Sequence, residues 1–222
     1  MSAEQQPVLW TFGGPNGSGK SFITNNFHAS DPDIQNNYIN ADVIAKERNI
    51  SNLEAANIAQ TQREAALLAR KSFAMETVLS MPDKIDIMYR AKSLGYEVRL
   101  VFVTTQDPNI NVRRVRQRYQ DGGHNVPTEK IFSRYERSMR YLPQAVNIAD
   151  KAYIFNNSFK NPVLIAEKTK EKGIIIYEQD QPSKWTRENI ITLLGITRED
   201  EQHRRYYVPR DRKWEYSDDR DR

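Results

Sequence analysis

The segment from Gly14 to Ser21 constrains this chain most. It matches G-x-x-x-x-G-K-[ST], directly after the apolar run Val8 to Phe12 and before a stretch typical of a helix. In such a loop, glycines let backbone N–H groups converge on phosphate oxygens, the lysine bridges the terminal phosphates, and the serine hydroxyl can hold Mg²⁺. A glycine-rich turn that matches by chance is the alternative. We predict a P-loop for a nucleoside triphosphate and Mg²⁺, with Ser21 as metal ligand and these nucleotide-binding residues: Gly14, Pro15, Asn16, Gly17, Ser18, Gly19, Lys20, Ser21 and Phe22.

Strand-like and helix-like runs alternate along most of the chain, which is typical of a mostly parallel sheet flanked by helices. The predicted strands are Pro7 to Phe12, Tyr38 to Asn40, Phe73 to Glu76, Tyr96 to Thr104 and Ala152 to Asn156. The predicted helices are Lys20 to Phe27, Ala41 to Glu47, Asn52 to Lys71, Pro82 to Leu94, Pro108 to Gln120 and Thr128 to Tyr141. The pattern predicts an α/β protein with the P-loop NTPase or kinase fold.

The helix from Asn52 has the clearest period, and Asn52 itself is a suitable N-cap. Its apolar residues recur near 3.6-residue spacing: Leu53, Ala56, Ile58, Ala59, Ala66, Leu67 and Ala69. This spacing is typical of an amphipathic helix.

The pattern changes after residue 160. Two apolar runs, Pro162 to Ala166 and Gly173 to Tyr177, flank a charged segment and predict an antiparallel hairpin, followed by a short helix, Lys184 to Leu194. The last residues alternate in charge without a sustained period, which favours an extended or disordered tail. We therefore divide the chain into a P-loop kinase core, 1–160, a hairpin and helix packed on it, 161–195, and a charged tail, 196–222.

Composition narrows the class of protein further. The 222 residues include no cysteine, so disulfides and thiolate metal sites are excluded. No apolar run approaches the length of a membrane span, and the N-terminus does not resemble a signal peptide, so we expect a cytoplasmic protein without a membrane partner. The net charge of +4 comes from 33 basic and 29 acidic residues. That balance does not by itself indicate a nucleic-acid partner, although it leaves one open.

Positive charge is concentrated between Arg113 and Arg140, a segment that contains eight basic and only three acidic residues. Two Arg-rich helices joined by a Gly-Gly-His turn resemble a lid, residues 108–141, that closes over a triphosphate. Arginines there can stabilise the phosphoryl group in transfer. A solvated helical face is the alternative. His124, in the turn, is either a hinge cap or a substrate contact, and the three histidines are not at zinc-ligand spacing.

Two carboxylates follow short strands at the edge where ligands bind in open α/β sheets. Asp42 can take a proton from an acceptor hydroxyl or hold Mg²⁺ through water; alternatively, it belongs only to the first turn of its helix. Glu76, beside Thr77, suits acceptor hydroxyls or Mg²⁺; alternatively, it pairs with an arginine. The strand ending at Thr104 lacks a Walker B carboxylate, so metal binding falls to Ser21 with Asp42 or Glu76.

Together these segments resemble the zeta-toxin family of P-loop kinases, in particular its chromosomal, zeta-toxin-like branch. The resemblance covers roughly residues 7 to 160. The matching pieces are Gly13 to Ser21, Asn40 to Asp42, Phe73 to Ser80, Gly95-Tyr96, Arg114-Val115, Gly122 to His124 with Val126-Pro127, Arg134-Tyr135, and Asn156 to Ser158.

The resemblance implies an ATP- or GTP-dependent kinase that phosphorylates a sugar hydroxyl of a nucleotide-sugar such as UDP-N-acetylglucosamine, with a small helical antitoxin as possible partner. It implies Asp42 as general base, Lys20 on the β,γ-phosphates, and Arg118 and Arg134 on the γ-phosphate, with Arg114 and Arg116 as alternatives to Arg118. Glu76, Thr77 and His124 would contact the acceptor. Two other functions stay open: a kinase of another nucleotide-type metabolite or of a polynucleotide, and a non-catalytic NTP-binding module that docks through its tail.

Overall fold

The structure is a computed structural model that describes residues 6–28, 34, 37–123, 125–177 and 183–196. His124 and all of the predicted tail beyond residue 196 lie outside these residues. The strands are β1 Val8–Gly13, β2 Tyr38–Ile39, β3 Phe73–Thr77, β4 Glu97–Thr104, β5 Lys151–Asn156, β6 Val163–Thr169 and β7 Gly173–Ile176. The helices are α1 Lys20–His28, α2 Ala41–Arg48, α3 Asn52–Leu68, α4 Pro82–Ser93, α5 Pro108–Gln120, α6 Thr128–Ile148 and the short α7 Lys184–Thr186.

The strands form one mixed sheet in the order β2-β3-β1-β4-β5-β6-β7. The first five are parallel, and β6 and β7 add an antiparallel edge. This arrangement confirms the predicted α/β fold with its C-terminal hairpin. Because β1 lies between β3 and β4, chain connections leave it in both directions, and such a switch point opens a crevice at the carboxyl ends of the strands.

Helices cover both faces of the sheet. Alternate residues of β1 show this: Leu9 packs in a cluster with α3, α4 and α6, whereas Trp10 and Phe12 pack against Phe27 of α1 on the other face. Every residue of β1 is buried. Continuous apolar burial of this kind is expected for a parallel strand covered on both sides.

Helix α3 begins differently from the prediction. Ser51, not Asn52, is the N-cap: its hydroxyl accepts from the Glu54 N–H at 3.2 Å, and the Glu54 carboxylate accepts from the Ser51 N–H at 3.0 Å. The two residues satisfy each other's backbone donors in a capping box. The serine three residues before a glutamate was the sequence signal, and the prediction of Asn52 was wrong.

The buried face of α3 coincides only in part with its apolar period. The buried stripe is Ala55, Ala59, Arg63 and Leu67, whereas Leu53 is 73% exposed. Ala56 lines a cavity, and Arg63 is both buried and part of the cavity lining. The helix therefore turns one stripe to the core and the adjacent stripe to an open site, with Arg63 at the boundary between them, and apolar periodicity alone does not separate the two.

The C-terminal segment also differs in detail. After α7 the chain continues as a π-helical turn, Arg187–Ile191, in which the Thr192 N–H donates to the Arg187 carbonyl five residues earlier. The predicted single helix Lys184 to Leu194 is thus replaced by a shorter α-helix and this wider turn. None of the helices in the described part of the chain combines the length and apolarity that crossing a membrane requires. The division into three regions at residues 160 and 195 stays a prediction.

Candidate active site

A cavity of about 770 Å³ opens at the carboxyl ends of the parallel strands. Its volume lies within the range of small-molecule sites. One wall comes from α2, α3 and the start of α4, and the other comes from α5 and α6. The predicted catalytic residues Lys20, Asp42, Arg118 and Arg134 all line it, as do the predicted acceptor contacts Glu76 and Thr77. Residues far apart in the sequence therefore meet around one space.

The loop before α1 has the backbone that its glycines predict. Gly14 and Gly19 have φ angles of 140° and 89°. A Cβ on Gly14 would lie 2.0 Å from the Val103 carbonyl oxygen, and one on Gly19 would lie 2.1 Å from the Asn157 amide nitrogen. Neither position tolerates a side chain, because the loop passes too close to its neighbours.

Not all of the predicted nucleotide-binding residues face the cavity. The ones that line it are Asn16, Gly17, Gly19, Lys20, Ser21 and Phe22. Gly14, Pro15 and Ser18 are buried instead and do not line the cavity.

Two asparagines that the sequence reading did not assign to the site hold this loop. The Asn111 amide of α5 donates to the Asn16 carbonyl at 2.7 Å, and the Asn157 amide donates to the Ser18 carbonyl at 2.7 Å. Arg134 of α6 reaches the same loop and donates to the Asn16 side chain at 3.1 Å. Asn157 directly follows β5, so its position after a strand was the available signal. These bonds connect the loop to α5, to α6 and to the segment that follows β5.

Lys20 is only 8% exposed, and its ammonium donates to the Pro15 carbonyl at 3.1 Å. Burial lowers the pKa of Lys20, and the nearby carboxylates of Glu76 and Asp42 partly oppose that shift. A buried ammonium with one neutral partner gains from a phosphate anion, which replaces the water it has lost. The position of Lys20 therefore suits a triphosphate in the loop.

Glu76, at the end of β3, is the centre of a polar network. Tyr38 donates its hydroxyl to Glu76 Oε2 at 2.6 Å, the Asn40 amide approaches the same oxygen at 3.4 Å, and the Ser21 hydroxyl reaches Oε1 at 3.4 Å. Burial and then Glu76 raise the pKa of Tyr38, so the phenol stays protonated and donates. Among the described residues Glu76 forms no ion pair with an arginine. The alternative of a salt bridge is thus not observed there.

Asp42 lies in the first turn of α2, and its backbone N–H donates to the Asn40 side chain at 2.9 Å. Within the described chain, no group hydrogen-bonds to its carboxylate. The carboxylate borders the cavity and remains available to a ligand. Thr77 is more constrained, because its hydroxyl already accepts from the Leu79 N–H at 3.0 Å and so supports the turn after β3.

The Arg-rich helices contribute four guanidinium groups to the wall: Arg114, Arg118, Arg134 and Arg137. Arg116, one of the alternatives to Arg118, does not line the cavity, whereas Arg114 does. Burial, and then Arg113, lower the pKa of Arg114. Its Nη1 atom is buried and has no hydrogen-bond partner among the described residues. This wall therefore offers positive charge to an anion.

Mg²⁺ fits the oxygen donors at the P-loop, although the described residues contain no group of three or more His, Asp or Glu side chains placed to hold a metal. Ser21 and Glu76 lie within hydrogen-bond reach of each other on one side of the cavity. Mg²⁺ commonly uses one or two protein oxygens and takes its other ligands from phosphates and water. Ser21 and Glu76 are the residues that would hold it.

Comparison with known proteins gives a family and a fold. The zeta toxin family model matches residues 1–180. An uncharacterised protein of Haemophilus influenzae is 30% identical over 127 residues, which are 55% of this chain and 88% of that protein. Among solved structures, AvrRxo1-ORF1 in complex with ORF2 and ATP superposes with a TM-score of 0.61 at 17% identity, over 77% of this chain and 60% of that chain.

A second solved structure, from the PezAT chromosomal toxin–antitoxin system of Streptococcus pneumoniae, has a TM-score of 0.51 at 16% identity. It covers 90% of this chain and 84% of that one. At these identities the structures show a shared fold, and this chain spans only about 60% of the length of AvrRxo1-ORF1. Together with the zeta toxin family match, the P-loop kinase-like fold supports a nucleotide-dependent phosphotransferase. With the family model matched over residues 1–180 and this fold around its P-loop, the chain belongs to the zeta toxin family.

Proposed function

We propose that the protein is a kinase that transfers the γ-phosphate of ATP or GTP to a sugar hydroxyl of a nucleotide-sugar such as UDP-N-acetylglucosamine. The observation that carries the proposal is the meeting of Lys20 and Asp42 in one cavity: a cation suited to phosphate, and a carboxylate that no other described residue hydrogen-bonds. Simple NTP binding does not need the second group. A transfer reaction does, because the acceptor hydroxyl must lose a proton.

The donor half of the reaction uses the P-loop and the two Arg-rich helices. Backbone N–H groups and Lys20 bind the phosphates, and Arg118 and Arg134 neutralise charge on the γ-phosphoryl oxygens. When bound, Mg²⁺ supplies further neutralisation of the β- and γ-phosphates. The hydrogen bond from Arg134 to Asn16 supports this role, because it brings that guanidinium to the phosphate loop before any ligand binds.

The acceptor half uses Asp42, Glu76, Thr77 and His124. The acceptor oxygen forms a bond to the γ-phosphorus while the bond from that phosphorus to the β,γ-bridging oxygen breaks. The hydroxyl proton passes to the Asp42 carboxylate, and the nucleoside diphosphate leaves. Tyr38 and Asn40 hold Glu76 at the edge of the cavity, where its free lone pairs can accept from an acceptor hydroxyl or bind Mg²⁺.

ATP is the donor to test first, because the fold relative AvrRxo1-ORF1 was solved with ATP. The experiment incubates the protein with Mg-ATP or Mg-GTP and a panel of UDP-sugars, free sugars and oligonucleotides, and detects phosphorylated products by mass spectrometry. We expect a phosphorylated UDP-sugar. Phosphorylated oligonucleotide, with affinity that falls steeply with salt, would favour the polynucleotide alternative instead.

The matched variants are Asp42→Asn and Asp86→Asn. Asp86 is exposed on α4 and does not line the cavity, so its replacement makes the same chemical change away from the site. Loss of a general base lowers kcat by about 10²- to 10⁴-fold, so we expect that loss for Asp42→Asn alone. Absence of transfer to every acceptor, or equal rates in both variants, would contradict the proposal.

We also propose that a small helical antitoxin binds the protein and blocks its nucleotide site. Support comes from the fold relative PezAT, which is a toxin–antitoxin system. If the kinase activity is toxic, induced expression of the protein should slow bacterial growth and Lys20→Met should not. Equal growth of the two strains would remove the reason to expect an antitoxin.

A further inference from the structure

One stripe of α3 faces the cavity and ends at a buried arginine. The residues of this stripe are spaced four, four and three positions apart, and all of them line the cavity: Asn52, Ala56, Gln60 and Arg63. Helix α3 packs against α2, the helix that carries Asp42. This wall is separate from α5 and α6, whose arginines face the donor phosphates in the proposed reaction.

Arg63 is unusual on this wall because it is only 6% exposed, whereas the other lining residues of α3 are exposed. In the part of the chain that the structure describes, its guanidinium makes neither a hydrogen bond nor an ion pair. Burial lowers the pKa of Arg63, and Asp83 and then Glu64 oppose that shift without contacting it. The side chain is therefore largely buried, and its guanidinium has no partner among the described residues while the residue borders the cavity.

The two carboxylates near Arg63 are already engaged by other cations. Arg90 donates to both oxygens of Glu64 at 2.7 Å, and Lys84 pairs with Asp83 at 2.5 Å. Neither acid is free to rotate toward Arg63 without losing its own partner. Among the described residues, the guanidinium of Arg63 thus has no hydrogen-bond acceptor, and Arg63 borders the open cavity.

A buried, unpaired guanidinium disfavours the folded state, so packing alone does not explain why this position holds an arginine. Its planar fork matches the oxygens of a phosphate group and can donate two parallel hydrogen bonds. A ligand that brings such oxygens into the cavity would restore the interactions that Arg63 lacks in the free protein.

We propose that Arg63 binds a phosphate or diphosphate group of the acceptor, so that the kinase selects phosphorylated acceptors over neutral sugars. The inference rests on the proposed function, because it treats the α2–α3 wall, beside Asp42, as the acceptor side. It adds a specificity residue on α3. Arg63 is distinct from the P-loop and from Arg118 and Arg134, which bind the donor.

The kinetic test compares three acceptors that differ in charge: N-acetylglucosamine, its 1-phosphate, and UDP-N-acetylglucosamine. Arg63→Gln should raise KM for the two phosphorylated acceptors by about ten- to a hundredfold, the loss expected for a hydrogen-bonded charge pair. It should leave KM for ATP and activity on the neutral sugar unchanged. Arg63→Lys, which keeps the charge, should recover part of the loss. Arg48→Gln on the exposed end of α2 is the matched control.

A binding test separates this inference from the proposed reaction. With the P-loop saturated by Mg²⁺ and a non-hydrolysable ATP analogue, calorimetry measures inorganic pyrophosphate binding to wild type, Arg63→Gln and Arg48→Gln. We expect binding to wild type and Arg48→Gln and a loss of at least tenfold for Arg63→Gln. The Tm of ligand-free Arg63→Gln should equal or exceed that of wild type, because an unpaired buried charge has been removed.

The outcomes are distinguishable. If wild type transfers phosphate to no acceptor, the proposed function fails, while the calorimetric difference still supports an anion site at Arg63. If transfer occurs but wild type and Arg63→Gln have the same KM for phosphorylated acceptors and the same pyrophosphate affinity, the inference fails and the proposed kinase function is supported. A lower Tm with unchanged affinity in Arg63→Gln would make Arg63 a structural residue and would also overturn the inference.

Discussion

Replacing Tyr38 with phenylalanine removes one hydroxyl from the network that holds Glu76. The phenol donates to Glu76 Oε2 at 2.6 Å, and the remaining contact to that oxygen, from Asn40, is 3.4 Å long. Hydrogen bonds to charged groups contribute about 1.5–3 kcal/mol. Because both side chains are only partly buried, water replaces part of the bond, and we expect a loss of about 1.5 kcal/mol in the free energy of unfolding.

The same change has a pH signature. The ordinary pKa of tyrosine is 10.0, and burial and then Glu76 raise the pKa of Tyr38 in the folded protein. Above pH 10 the unfolded chain releases this proton while the folded protein retains it, so the contribution of Tyr38 is complete below pH 10 and is lost as pH rises further. The stability advantage of wild type over Tyr38→Phe should therefore shrink by about 1 kcal/mol between pH 10 and pH 11.

The assay is urea unfolding of both proteins from pH 7 to pH 11, with kcat/KM for phosphate transfer measured at pH 7. A looser Glu76 should lower kcat/KM by about tenfold, the equivalent of 1.4 kcal/mol. Tyr89→Phe is the control, since Tyr89 is 66% exposed on α4 and outside the cavity. A stability difference that stays constant to pH 11, or a Tyr38→Phe protein indistinguishable from the control, would refute the reasoning.

Two further substitutions test the loop and an acidic strand residue. Gly19→Ala should lose at least tenfold in ATP affinity by calorimetry, because the new Cβ would meet the Asn157 amide at 2.1 Å. Gly173→Ala, with φ 67° and open space, should cost only about 1 kcal/mol of stability and no affinity. Glu97 should contribute stability above its ordinary pKa of 4.5 and lose it as pH falls, because a hydrogen bond from Arg99 lowers its pKa to about 2. In urea unfolding, wild type should lose about 1 kcal/mol more than Glu97→Gln between pH 7 and pH 3, after allowance for solvent screening; parallel pH curves would contradict this.

The strands and most helices were predictable because their signals are local. Apolar runs such as Val8 to Phe12 mark buried parallel strands, and the α/β alternation predicts the sheet. The signals that failed were those with two local explanations. Both Ser51 and Asn52 are residue types that cap helices. Alanines lie on the core stripe of α3, as Ala55 and Ala59, and also at the cavity, as Ala56, so only packing distinguishes the two stripes.

The candidate site was also predictable from the sequence only in part. The P-loop could be read directly because its chemistry lies within eight consecutive residues, whereas Asn111 and Asn157 were missed because they hold it from 95 and 139 residues away. Asparagines are common, and although Asn157 directly follows a strand, that position does not say which backbone carbonyl its amide reaches.

By itself, the sequence determined that this chain has an α/β sheet with a phosphate-binding loop after its first strand. Its signals are local, because the apolar run, the glycines and the start of the helix follow one another directly in the chain. Only the tertiary structure decided that Asp42, Glu76 and the Arg-rich helices share one cavity, and that Arg63 is buried there without a hydrogen-bond partner among the described residues. Burial and the distance between charges depend on how α3, α5 and the sheet pack together. That packing therefore sets the pKa values of the charged side chains in the cavity and decides which carboxylate oxygens remain available to a ligand.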